Sequence, residues 1–371
     1  MKNKILYICL TFFLSNFFYF NVLSAEQFNF DITEIEILNN GNIIKGTKKG
    51  VVNTSDGITI TANTFIYDKS SNILTATGND KVIDSIKDLK IYSDNVVYDK
   101  NKEVVTTNKN SKAVYGIGKF IFADNFLYNR NENILNAQNN VKIEDIVENN
   151  LIIGEDFTYF KNSEKIISKD LTEAFIQSKY KITSKDMVYL IKENKLISKN
   201  KTKIEDQNSQ VYIIDKFNYQ INEEVLKGDK LLIITNYNLP KSDKFFFESA
   251  IIDLKNQKFI AKNTKVEFHK NIFDDSRNEP RLKGISSASD NNITLVNKGI
   301  FTSCKKNDNC PPWIIQASKI THDKNKKQLI YDDALIKVYD VPVFYFPKFF
   351  HPDPTVQRQS GFLQPKLSNS K

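Results

Sequence analysis

Apolar and polar positions alternate with a period of two along most of the chain, in short runs bounded by polar clusters. That is the signature of strands with one buried face. In ADNFLYNRNENILNAQ (Ala123 to Gln138), two alternating runs flank the polar corner NRNEN. Near-copies recur. Taking the tyrosine before the corner as position zero, the anchors are Tyr67, Tyr98, Tyr128, Tyr159, Tyr189 and Tyr219, spaced by 31, 30, 31, 30 and 30 residues. Such a beat marks an internal repeat, and each unit predicts two strands joined by a corner. The corners are polar, as in DKSSN, DKNKE, NRNEN and FKNSE. One such unit cannot bury its apolar face, so the units must stack.

Other positions keep step with the tyrosines. Seven residues earlier stand Ile60, Ile91, Ile121, Ile152, Ile182 and Tyr212; five earlier stand the small residues Ala62, Ser93, Ala123, Gly154 and Ser184, with Ile214 the exception. Two earlier stand Phe65, Val96, Phe126, Phe157, Met187 and Phe217; seven later stand Leu74, Val105, Leu135, Ile166, Leu196 and Leu226. Positions minus seven and minus five share one strand face, whereas minus two and zero fall on the other. Either both faces are partly buried, or a bulge near the Asn/Asp pair shifts the phase, and the bulge is the favoured reading. A small residue beside each isoleucine would leave an apolar trough lined by Ile60, Ile91, Ile121, Ile152 and Ile182. If the phase is inverted, the competing lining is Phe65, Phe126, Phe157 and Phe217. The bland alternative is that the small residues accommodate a neighbouring ring.

After Tyr219 the pattern weakens but persists, in SAIIDLKNQKFIAKN (Ser249 to Asn263) and QASKITHDKNKKQLIYDDALIKV (Gln316 to Val338). Between them, FDDSRNEPRLKGISSASDNNIT reads as a long surface connection.

Composition agrees with an all-β class: 27 Phe and 16 Tyr in 371 residues, with Ile, Val and Thr prominent and Ala sparse. The formal charge is +8, but only four of the 52 basic residues are Arg. A phosphate-reading surface would favour Arg, so nucleic acid is not an expected partner, while a mildly basic surface tolerates an acidic glycolipid. At the N-terminus, Lys2 and Lys4 precede an apolar run from Ile5 to about Val22, then the small residues Ser24 and Ala25. This is the layout of a signal peptide over residues 1–25, cleaved near Ala25; the alternative is an uncleaved anchor. The mature chain is then exported. Cys304 and Cys310, the two cysteines left after cleavage, most simply pair as a disulfide in an oxidising compartment.

Catalytic chemistry finds no foothold. His269, His322 and His351 are far apart and lack metal-ligand spacing, which makes them surface or turn residues. No G-x-S-x-G elbow, P-loop or H-E-x-x-H occurs. The reading is therefore of a non-enzyme without metal or cofactor.

Two further stretches carry a longer pattern: FTSCKKNDNCPPWIIQASKITHD and VYDVPVFYFPKFFHPDPTVQRQSGFLQPKL. With the repeat and NEPRLKG, they resemble the lipopolysaccharide-assembly protein LptD family, also called organic solvent tolerance proteins. The likeness is diffuse from Glu26 to about Val266 and sharp from about Pro280 to Lys366. It implies an OstA/LptA-like antiparallel β-jellyroll over residues 26–338, open along one side and carrying lipopolysaccharide acyl chains. Residues 339–371 would then be a connector and the first strand of an outer-membrane β-barrel. The rest of that barrel is absent from this sequence, which implies a fragment or truncated product, or a jellyroll that works with a barrel supplied elsewhere.

The same likeness implies that an LptA-like periplasmic bridge docks on the edge strand around FNFDITEIEIL (Phe28 to Leu38), and that an LptE-like lipoprotein joins if a barrel is present. Cys304 matches a family cysteine that pairs with one in the barrel; with the barrel missing, Cys310 is the local alternative. Pro365 matches a proline of the first barrel strand, where a missing N–H would weaken the seam through which lipid leaves. The resemblance places the chain in the periplasm and at the outer membrane. Two other readings remain: an LptA-like bridge, or an exported β-solenoid adhesin or polysaccharide-binding protein.

Overall fold

The period-two runs become strands because Ile, Val, Phe, Tyr and Thr present one apolar face on a pleated surface. The computed structural model describes residues 28–273, 277–307, 311–352 and 356. Across them the protein is all-β and antiparallel in the manner of a jellyroll, with three short 3-10 turns and no α-helix. It divides into two compact units between Lys109 and Asn110.

In the first unit the strands are β1 (Asn29–Leu38), β2 (Ile43–Asn53), β3 (Ile58–Ala62), β4 (Thr64–Asp68), β5 (Ile73–Asp84), β6 (Leu89–Asp99) and β7 (Val104–Asn108). β3 and β4 are two arms of one long strand interrupted at Asn63. The C-terminal half of β5 pairs with β3 and its N-terminal half with β4. β5 and β6 run side by side, with a register slip between Thr77 and Asp80. Gly78 (φ 91°) and Asn79 (φ 53°) supply the left-handed backbone that this slip requires.

The second unit repeats the plan. Arms Lys119–Ala123 and Asn125–Asn129 both pair with Ile134–Asp145, and the register of that strand with Asn150–Phe160 slips between Gln138 and Val141. From Val211–Gln220 onward each strand is antiparallel to the last, down to Val341–Pro352 on Gln328–Val338. The pattern beyond Tyr219 is thus fully strand-forming. Part of the expected surface connection, Arg281–Ser289, is itself a strand, paired with Lys258–Glu267 and Ile293–Thr302. The Gly284 Cα–H fits under the Val296 side chain there, so the sparse apolar pattern conceals a closely packed strand.

The row of interruptions forms a crease in each unit. Crossing it costs the strand one step of alternation, so Ile60 and Ala62 on one arm and Phe65 and Tyr67 on the other are all buried. Hydroxyls collect along the crease and satisfy the backbone that leaves the ladder. Ser93 Oγ donates to the carbonyls of Asn108 (3.3 Å) and Lys109 (2.9 Å). Ser168 accepts from the Met187 N–H at 2.8 Å, and Ser184 and Thr202 share a hydrogen bond of 2.9 Å.

At the corners the anchor tyrosines find their purpose. Each ring is buried, and the residue five positions on sits in the left-handed region; at three of the corners the hydroxyl bonds to that residue. Tyr67 donates to Asn72 (φ 58°) at 2.9 Å, Tyr98 to Glu103 (φ 54°) at 2.8 Å, and Tyr189 to Asn194 (φ 46°) at 3.1 Å. The asparagines also bond along the stack, Asn72 to Asn101 (2.8 Å) in the first unit, and Asn133 to Asn162 and Asn194 to Asn222 (both 2.6 Å) in the second. Asn194→Ala is expected to lower stability by about 2 kcal/mol, from the lost left-handed preference and the orphaned Tyr189 hydroxyl. Asn194→Gly should recover the backbone share only. Denaturant unfolding measures both, and an alanine variant as stable as the parent would refute this account of the corner.

Candidate functional site

The interior of each unit is where the recurrent apolar positions converge. Ile60, Phe65 and Ile91 lie inside the first unit; Ile121, Phe126, Ile152, Phe157, Ile182 and Phe217 lie inside the second. The crease makes both candidate linings face inward. Within each unit both sets of residues are buried, on opposite arms of the crease.

That interior is filled by its own side chains. None of the nine residues is more than 5% exposed. The small residues have specific occupants above them. A Cβ on Gly154 would stand 2.9 Å from the Phe157 ring, and one on Gly228 would stand 2.4 Å from Ile214 Cδ1. In the first unit, Ile32 lies over both Gly46 and Gly50. At these positions small size accommodates a neighbouring side chain, and any apolar guest would have to displace such contacts. The exchange is mild in hydrophobic terms, since one apolar contact replaces another.

Accessible apolar surface lies instead toward the end of the second unit. There Val296, Phe301, Ile315, Ala317, Ile320, Tyr331 and Ala334 form a buried cluster, and Phe268, Trp313, Phe346 and Phe349 pack on it while staying partly exposed. Tyr331 is stacked on Phe349 at 4.7 Å and shares a 3.1 Å hydrogen bond with His351 Nε2. His351, expected at the surface, is thus buried, because the last strand lays it against this aromatic cluster. Along that strand Val341, Val343, Phe344, Tyr345 and Phe350 remain exposed. Contiguous apolar exposure of this kind marks a contact surface. Alternation counts could not reveal it, because both faces of the strand are apolar.

The other candidate positions distribute as follows. β1 pairs with β2 along one edge and with no other strand among the described residues. Cys304 is a half-buried free thiol, its Sγ 3.7 Å from the Trp313 carbonyl oxygen; Cys310 lies outside the described residues. Pro365 and the signal-peptide segment 1–25 also lie outside them. His269 meets Asp243 at 2.8 Å. A cleft of about 440 Å³ beside it carries five charged side chains, Lys244, Glu267, Lys270, Glu279 and Lys306, among its lining. Burial pushes the Glu267 carboxyl up, but Lys265 and Lys306 outweigh it and hold the group below its ordinary range. That cleft is unsuited to hydrocarbon. No helix among the described residues is long and apolar enough to cross a membrane, which leaves strand-based crossing undecided.

Sequence reasoning missed Asp80. It sits at the crease opposite Ser93, 1% exposed, with neither carboxyl oxygen hydrogen-bonded. Burial raises its pKa to about 7, the Val96 amide offsets part of this short of a closed hydrogen bond, and the nearby Asp94 charge adds to the rise. The signal was present as a lone charge at an inward position of β5.

The fold and its lined interior define a creased antiparallel β protein with an apolar inside and an exposed aromatic terminal strand. Its similarities lie with proteins of lipopolysaccharide assembly. Over 163 residues the chain is 25% identical to the LPS-assembly protein LptD of Vibrio cholerae, covering 41% of this chain and 20% of that protein. It is 37% identical over 75 residues to LptD of Yersinia enterocolitica, covering 20% and 9%, and 32% identical over 84 residues to LptD of Hahella chejuensis, covering 23% and 10%. The matched stretches thus span a fifth or less of these relatives. No family model matches the chain.

Proposed function

We propose that the chain is a non-enzymatic conduit for lipopolysaccharide, working at the periplasmic side of the outer membrane and shielding acyl chains inside its creased β units. The observation that carries this reading is the convergence of two apolar rows on one interior in each unit, in a chain whose relatives are LPS-assembly proteins. Sheltering hydrocarbon is worth about 0.8 kcal/mol per CH₂, so several acyl chains supply ample driving force without any catalyst. The exposed strand Val341–Pro352 suits the exit end, where lipid passes toward a membrane or a barrel. The unpaired edge of β1 suits addition of a strand from an LptA-like periplasmic bridge.

A photocrosslinking residue at Ile121 is expected to capture lipopolysaccharide in cells, because this position lies inside the second unit. The control is Asn131, an exposed corner residue. Equal capture from both sites, or none from Ile121, would refute uptake into the interior.

A further inference from the structure

If the interior accepts a guest, some part of the shut structure must give way, and in the first unit one place is built to do so. At the slip between Thr77 and Asp80 the ladder from β5 to β6 is already broken, and Gly78 and Asn79 hold left-handed conformations there. Beside that break the Asp80 carboxyl is sealed from water without a hydrogen-bond partner. Directly opposite, the Ser93 hydroxyl is turned to the carbonyls of Asn95, Asn108 and Lys109.

The surroundings offer an ionised Asp80 only the Val96 amide, which falls short of a closed hydrogen bond. From β6 the charged neighbour is Asp94, of like sign. From the junction of β3 and β4 come Ala62 and Asn63, both uncharged, with the Asn63 N–H donating to the Gly78 carbonyl at 3.1 Å. Buried carboxylates in such company are forced toward the neutral form. The crease itself does not need the acid. In the second unit the position after the equivalent slip is Val141, fully buried opposite Gly154, and valine has nearly the shape of aspartic acid.

We propose that Asp80 is a proton-controlled latch: neutral, it lets the crease stay shut over Ile60, Phe65 and Ile91; ionised, it must reach water, parting β5 from β6 and opening the apolar interior. The latch belongs to the empty chain and needs no ligand, whereas its use in admitting acyl chains rests on the proposed function. The sign follows from proton linkage. The shut form holds its proton up to about pH 7 and the unfolded or opened form only to about 3.8. Closure is therefore fully favoured below about pH 4, weakens as pH rises toward 7, and above that range suffers the whole penalty.

The test is site-resolved amide hydrogen exchange of the full chain without lipid, from pH 5 to 8.5, corrected for intrinsic exchange rates. Protection of β5 and β6 amides around Val82 and Ile91 is expected to fall by up to about tenfold per pH unit, the slope of one proton, up to about pH 7 and to level off above it. Asp80→Asn and Asp80→Val should flatten that profile, leaving protection in the second unit untouched. Should one variant fail to fold, the other and the parent's own profile still decide. A parent whose protection is pH-independent, or variants that keep its slope, would overturn the latch. Capture of lipopolysaccharide at Ile121 is read separately, so the latch and the conduit can fail independently.

Discussion

Phe217→Ala is expected to destabilise the second unit by about 3–5 kcal/mol, the cost of truncating a fully buried ring. Phe217 is 0% exposed on the strand Val211–Gln220, and its ring lies 6.4 Å from that of Tyr219 in a stacked pair. It occupies the arm beyond the crease, where Lys216 takes a left-handed φ of 49° to turn the side chain inward. Neighbours tied into strand ladders on both sides cannot collapse into the space, so the cavity term should be near the top of its range. Denaturant unfolding gives the value. A loss below about 1 kcal/mol would mean that the interior is loosely filled at this point.

Gly228→Val tests the opposite fault on the neighbouring strand. Gly228 lies on Val225–Ile234 beneath Ile214, and an added Cβ would meet Ile214 Cδ1 at 2.4 Å, Ile214 Cγ1 at 2.5 Å and the Asp215 carbonyl oxygen at 2.8 Å. The backbone oxygen cannot swing aside, so overpacking should cost about 3 kcal/mol. Because most of the clash is with one flexible side chain, Ile214→Val should relieve part of it, and the double variant should be more stable than the single costs sum to. Thermal unfolding of the four proteins checks this. Simple additivity would show that Ile214 does not lie over Gly228.

Both results bear on the proposed function, because they measure how firmly the interior is shut before any lipid arrives. A closely packed inside is compatible with that proposal; it sets the work that an entering guest would have to do. The structure locates accessible apolar surface at Val341–Pro352, whereas the sequence reading located the lining in the tyrosine-anchored repeats. Those repeats were legible because each is a local pattern, a few residues long, repeated in register. The terminal strand was legible only as a likeness to a family, since a run apolar on both faces has no alternation to read.

Composition alone misleads elsewhere too. Ile86 in the first unit, and Ile117, Ile146 and Val147 in the second, are strongly apolar, yet all are exposed at corners opposite those of the tyrosines, Ile117 at 93%. Hydrophobicity does not say whether the chain is still a strand or has begun to turn. The segment Arg281–Ser289 failed the other way, its serines and lysines concealing a strand whose pairing comes from both neighbours.

By itself, the sequence determined that this is an antiparallel β protein of two-strand repeats with tyrosines at polar corners. Those features depend on neighbours a few residues apart, and alternation records them directly. Only the tertiary structure decided that, within each unit, the Ile and Phe positions share that unit's interior, because a one-residue interruption reverses the parity of everything after it. It alone decided that side chains fill that interior, and that Asp80 stands in it without a partner. Filling and pairing depend on which atoms from distant strands meet across the crease, and that is a matter of register and packing which no single strand carries.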